Sequence, residues 1–178
     1  LEREVRELVE EIMQGDAEER EHHTRAALST FRSAEKIEPN NLGVLLRISK
    51  QYSDLIADTK PDAVAQSLAQ KALDYALRAI EIDPHSAKAH LSVAVSYGKL
   101  TDFVPNKTKV EYSRLVRDET LRSIELDPTD DFAWHVLGRW HQGVANVSGM
   151  LKALAKVVYG GLPPASNEEA VRCMKKAI

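Results

Sequence analysis

The chain is poor in the residues that mark disulfide-linked, metal-bound and β-rich proteins. Its 178 residues include one cysteine, Cys173, which excludes an intramolecular disulfide and a multi-cysteine zinc site and favours a reducing compartment. Only 8 glycines and 7 prolines accompany 29% charged and 43% hydrophobic residues, and this balance favours amphipathic helices over β-structure or disorder. The formal net charge of −3 gives no reason to expect nucleic-acid binding.

Signatures of catalysis, secretion and membrane insertion are also missing. The sequence has no HExxH or GxSxG motif and no phosphate-binding glycine-rich loop, and the pair Asp131 and His135 has no nucleophile beside it. We therefore expect no enzymatic activity, no cofactor and no metal. No secretory signal opens the chain, and no run approaches the ~18 apolar residues that a membrane-spanning helix needs. Any membrane anchor is expected outside these residues.

What the chain does contain is an internal repeat marked by prolines. Pro39, Pro84 and Pro128 each follow an apolar-acidic segment and lie 45 and 44 residues apart. Proline disfavours helical geometry in the residue before it, so each junction is predicted to end one helix and begin another. After each proline a large residue, an apolar residue, a small residue and an aromatic or histidine recur in the same order, which is typical of the first helix of a tetratricopeptide repeat.

The spacing predicts four helix pairs within a single domain over residues 1–178. The fold class expected is all-α, a tetratricopeptide-like right-handed helical solenoid with lengthened repeats. Gly15 and Asp16 are predicted to end the first helix. The predicted helices cover about 1–13, 17–37, 42–55, 64–82, 87–100, 109–126 and 130–147, and the last begins at about 167 after a cap at Ser166 or Asn167. The next proline would fall beyond residue 178, so we expect the chain to stop within its last repeat.

Residues 148–164 interrupt the fourth pair and are predicted to form an extra amphipathic helix. Leu151, Leu154, Val157 and Val158 are expected on one face of this segment, with Lys152 and Lys156 on another, and the glycines and prolines near its end are expected to terminate it. Two interpretations stay open. The helix packs over the end of the solenoid, or it touches a membrane or covers a ligand.

The segment from Asp131 to Trp140, with the insertion that follows and Pro163, resembles the regulator of microtubule dynamics family. The resemblance extends over nearly the whole chain. It implies a helical-repeat domain, facing the cytosol and anchored elsewhere to the mitochondrial outer membrane, that binds and transfers phospholipid at contacts with the endoplasmic reticulum. It also implies a tether protein of the endoplasmic reticulum as a partner, through regions outside these residues. An unanchored form would be cytoplasmic.

Residues about four, seven, eleven and fifteen after each proline are expected to point to the inner surface of such a repeat. The amide-and-cation pairs of peptide-carboxylate clamps are missing there, which argues against a receptor for chaperone tails. The surface instead combines apolar and cationic side chains, a combination that suits a phospholipid or a membrane surface. The candidate acyl-chain contacts are Leu46, Leu91, Val95, Phe132, Leu151, Leu154 and Val158, and the candidate headgroup contacts are Lys50, Lys99 and Arg139.

Two alternatives to lipid binding remain at this point. One is that the apolar residues are core, the cations are solvated, and Arg139 has a structural role. The other is a protein-interaction scaffold whose groove accepts a helical peptide or a microtubule-associated partner. An enclosed cavity would favour lipid, and an open groove would favour a peptide.

Overall fold

The three proline junctions separate helices and also place a capping residue before each new one. The computed structural model describes residues 1–178 apart from the side chain of Tyr159. Asn41, Ser86 and Asp130 each lie two residues after a junction proline, and the side-chain oxygen of each accepts a hydrogen bond from a backbone N–H in the first turn of the next helix. Caps of this kind stabilise a helix by about 1 kcal/mol each.

The described residues are all-helical and group into two compact units, Leu1–Pro84 and His85–Ile178. The prediction of a single domain over 1–178 stays a prediction. The N-terminal unit contains α1 (Glu2–Arg20), α2 (Thr24–Ile37), α3 (Leu42–Asp54) and α4 (Asp62–Ile82). The C-terminal unit contains α5 (Ala87–Leu100), a 3-10 turn (Thr101–Phe103), α6 (Asn106–Leu126), α7 (Asp131–Ala145), α8 (Gly149–Tyr159) and α9 (Asn167–Lys176).

The first helix pair differs from its prediction. Gly15 was expected to end a helix, but α1 runs through it to Arg20, so residues 17–20, which were assigned to the second helix, belong to α1. Gly15 is buried because the ring of Phe31 on α2 lies against it, so close that a Cβ there would be 2.3 Å from Phe31 Cε1. The chain turns instead at His22, which has a φ of 60°.

The remaining elements follow their predicted order. Helices α3 and α5 match their predicted ranges within one residue, and α4 and α6 begin two or three residues earlier than expected. Five small residues of α2, α4 and α6 are fully buried, namely Ala27, Ala34, Ala72, Ala79 and Ser123. Helix α7 packs on α9, and α8 packs on α6, so the extra helix interrupts the last pair as expected. Ser166 caps α9 by accepting a hydrogen bond from Glu169 N at 3.1 Å.

Candidate functional site

The C-terminal unit contains a cleft of about 680 Å³. Helices α5, α6 and α7 form its walls, and the insert, residues 148–164, contributes on one side. The cleft is open to solvent rather than enclosed, and Phe132 in its lining is 53% exposed. The main apolar residues of the lining are Val95, Val110, Val136, Val144, Leu151 and Leu162. A volume of this size is within the range of ligand-binding clefts.

The register of α7 brings a regular set of side chains into the cleft. Asp130 caps this helix by accepting hydrogen bonds from Phe132 N at 2.9 Å and Ala133 N at 3.3 Å. All four positions of α7 that were expected on the inner surface, Phe132, His135, Arg139 and Gly143, line the cleft. On α5 two of the four expected positions, Val95 and Lys99, line it. The repeat register therefore predicts much of this surface.

Trp140 forms a fixed part of the wall. Its side chain is 7% exposed, and its indole Nε1 donates to the backbone oxygen of Ser113 at 2.8 Å and to Ser113 Oγ at 3.1 Å. These bonds join α7 to α6 and satisfy a donor that would be costly to bury alone. The ring is therefore held by the protein itself and forms part of the apolar wall of the cleft.

Basic side chains outnumber acidic ones around the apolar lining. Lys99 and Arg139 are exposed, Lys109 is half-buried, and the carboxylate in the lining comes from Asp102. The guanidinium of Arg139 lies 3.4 Å from Gln142 Oε1, a long contact to a neutral group on its own helix. An apolar trough with cationic edges suits an occupant that is apolar at its centre and anionic at its margin.

Half of the predicted site residues meet in this cleft. Val95, Lys99, Phe132, Arg139 and Leu151 line it together.

The others lie elsewhere. Leu91 is 6% exposed and packs in the core with Leu137 and Trp140. Leu154 and Val158 are on α8 but outside the lining, whereas Leu46 and Lys50 belong to the N-terminal unit.

Lys50 has local partners that account for its charge. Its Nζ lies 2.6 Å from Asp54 Oδ2 and 2.8 Å from Glu19 Oε1. Burial by itself lowers the pKa of Lys50, but the hydrogen bonds and charges of Asp54 and Glu19 together raise it above its ordinary value. One turn earlier Arg47 pairs with Asp16, with Nε 2.7 Å from Oδ1. The Lys50–Glu19 and Arg47–Asp16 pairs join α3 to α1, so the structure gives Lys50 a role in packing these two helices.

Sequence reasoning missed the contribution of α6. It assigned the inner surface to the first helix of each pair, but Lys109, Val110 and Ser113 of the second helix also line the cleft. It also missed Val136 and Val144. A usable signal was present in α7, where Phe132, Val136, Trp140 and Val144 recur every four residues and form one stripe.

A family model described as regulator of microtubule dynamics protein 1-3 matches residues 7–178, and therefore includes the C-terminal unit, the whole lining of the cleft and all but the first six residues of the N-terminal unit. The chain belongs to this family. Its regulator of microtubule dynamics protein 1 from mouse is 29% identical over 135 residues, 75% of this chain and 44% of the mouse protein. The protein of that name from Caenorhabditis elegans is 32% identical over 104 residues, 58% of this chain and 46% of the relative. The chain thus spans less than half of these family members.

Solved structures show that the fold is of the tetratricopeptide class. The crystal structure of a thermophilic tetratricopeptide-repeat protein from Thermus thermophilus superposes with a TM-score of 0.63 at 14% identity, over 91% of this chain and 77% of that one. The expected fold class is confirmed by this likeness and by the all-helical content. Among the described residues, no helix has the length and apolar character that crossing a bilayer requires.

Proposed function

We propose that this family member is a non-enzymatic protein-interaction scaffold, in which the cleft of the C-terminal unit binds a helical peptide segment of a partner. The observation that carries the proposal is the open apolar cleft with basic edges. An amphipathic helix laid in a groove needs an opening along its length, and it anchors through apolar side chains at three- and four-residue spacing. Acidic residues beside that stripe would face Lys99, Lys109 and Arg139. The family name suggests a microtubule-associated protein as one such partner.

A labelled model peptide tests this proposal directly. The peptide carries leucine at helical spacing with glutamate on both flanks, and fluorescence anisotropy measures its binding. Val144→Asp places a charge in the cleft wall, at a partly buried residue that packs against the core of the C-terminal unit. We expect the folded variant to bind the peptide about tenfold or more weakly, because a desolvated carboxylate replaces an apolar contact. Arg139→Glu should also weaken binding, and more strongly at low salt than at high salt.

Val64→Asp is the matched control. Val64 is an apolar residue of α4 that is 47% exposed, so the same substitution there changes charge but not the cleft. Equal binding by wild type, Val144→Asp and Val64→Asp, with all three folded by circular dichroism, would reject the cleft as the peptide site.

A second candidate is phospholipid binding and transfer by a mitochondrial outer-membrane protein at contacts with the endoplasmic reticulum. The observation that favours it is that apolar Val95, Phe132 and Leu151 share the cleft with cationic Lys99 and Arg139. Acyl chains would lie on the apolar lining and a phosphate at the cations. In this proposal the membrane anchor and the binding site for the tether protein lie outside these residues.

Native mass spectrometry of the purified chain, followed by organic extraction, separates the two candidates. A stoichiometric phospholipid adduct that Val95→Asp abolishes would support the lipid function. A bare protein that also fails to take up fluorescent phospholipid would reject it and leave the peptide proposal standing.

A further inference from the structure

Helix α8 carries an apolar surface that faces away from the cleft. Met150 is 81% exposed and Val157 is 85% exposed, and Ala153 between them is also exposed. Together with the half-buried Leu154 these residues occupy about 100° of the helix circumference. We call them the outer face of α8. The opposite side holds the helix in place, because Ala155 is fully buried and Leu151 lines the cleft.

Both ends of α8 are fixed, so the outer face has a defined orientation. Ser148 Oγ accepts a hydrogen bond from Leu151 N at 3.3 Å and caps the first turn. At the other end Gly160 adopts a φ of 72°, and Gly161 N donates to Ala155 O at 3.0 Å, which closes the last turn. The guanidinium of Arg114 on α6 donates to Gly161 O and ties this turn to the unit.

The charge within the insert has a single sign. Lys156 is exposed beside the outer face. Lys152, one turn earlier, is also exposed but lies farther round the helix, and its Nζ donates to Ala145 O at 3.2 Å. No Asp or Glu occurs between Asp131 and Glu168, although the chain as a whole is acidic with a net charge of −3. The insert is therefore a local cationic segment in an anionic protein.

We propose that the outer face of α8 docks on the surface of an anionic lipid bilayer. An amphipathic helix with exposed apolar side chains and neighbouring lysines lies in the interface, where the apolar residues enter the acyl boundary and the lysines meet anionic headgroups. A second copy of the chain fits less well, because a symmetric contact would bring the lysines of both copies together. The proposal concerns the outside of α8 and does not depend on what the cleft binds.

Co-sedimentation with vesicles tests the docking surface. The full chain is mixed with phosphatidylcholine vesicles and with vesicles that also contain about 30% phosphatidylserine, a composition that gives a negative surface potential. We expect binding to the second kind only. Val157→Asp should reduce that binding by about tenfold or more, and Lys156→Glu by at least about fivefold. The matched controls are Val64→Asp on α4 and Lys60→Glu, which is 82% exposed in the turn before α4, and both should bind like wild type.

A second measurement distinguishes insertion from other kinds of association. An environment-sensitive dye on Val157→Cys should shift to the blue with anionic vesicles, whereas a dye on Val64→Cys should not shift. The native Cys173 is buried, so labelling is directed to the new thiol. Absence of binding to anionic vesicles would overturn the proposal. So would binding that Val157→Asp leaves unchanged, or a dye at residue 157 that responds only to another protein or to a second copy.

Discussion

Gly15 provides a quantitative test of how α1 packs on α2. In an open helix Gly→Ala stabilises by about 1 kcal/mol, because alanine loses less backbone entropy on folding. At Gly15 the added Cβ would lie 2.3, 2.7 and 2.8 Å from three atoms of the Phe31 ring. Phe31 is fully buried among Ala27, Val44 and Ile48, so its ring has no free space to enter. Overpacking of this kind costs about 1–3 kcal/mol, so we expect Gly15→Ala to destabilise the N-terminal unit by about 1 kcal/mol.

A double-mutant cycle isolates the cause. In a Phe31→Leu background the smaller side chain leaves room for the Cβ, and Gly15→Ala should then be neutral or stabilising, with a coupling energy of about 1–2 kcal/mol. Urea unfolding followed by far-UV circular dichroism measures all four proteins. Gly143→Ala is the control, since nothing lies within 4 Å of a Cβ there, and it should stabilise the C-terminal unit by about 0.5–1 kcal/mol. A stabilising effect of Gly15→Ala in the wild-type background would refute the close approach of α1 and Phe31.

Two titratable groups of the C-terminal unit give further tests. Burial lowers the pKa of His141 below its ordinary value of 6.5, while Glu169 raises it and Arg117 lowers it by a smaller amount. The neutral ring therefore contributes to the free energy of unfolding. This contribution is complete above about pH 6.5 and is lost as the pH falls through the lowered pKa. Urea midpoints between about pH 7.5 and pH 5.5 should fall less in His141→Gln than in wild type, and an equal fall in both proteins would contradict this effect of burial. Burial also raises the pKa of the Cys173 thiol, so we expect the thiol to react slowly with a disulfide reagent in the native protein. The reaction should accelerate at the urea concentration that unfolds the C-terminal unit. A fast reaction in the native protein would contradict the burial of Cys173.

The sequence predicts most of the helices because their boundaries depend on local chemistry. A proline followed by a capping residue ends one helix and starts the next without help from distant contacts, and α3, α5 and α7 follow this rule. The prediction that Gly15 ends a helix was wrong because the role of this glycine depends on a distant contact. A glycine that ends a helix and a glycine that admits a neighbouring ring look alike in sequence, and only the packing of Phe31 distinguishes them.

The residues of the candidate site also divide into those that the local sequence predicts and those that depend on tertiary packing. Phe132, Arg139, Val95 and Lys99 follow from the repeat register, since the first helix of a pair directs fixed positions inward. The burial of Leu91 and the pairing of Lys50 with Glu19 depend on how separate helices meet, and the sequence contains no local signal for either. The contribution of α6 to the cleft depends on tertiary packing in the same way.

The most direct test of the central claim is a methyl NMR titration of the full chain, labelled at valine, with the leucine- and glutamate-bearing model peptide. If the cleft is the peptide site, the methyl signals of Val95, Val136 and Val144 should shift together and saturate at one peptide per chain, whereas that of Val64 should stay in place. Shifts confined to valines outside the cleft, or an unchanged spectrum at saturating peptide, would contradict a peptide-binding cleft in this unit.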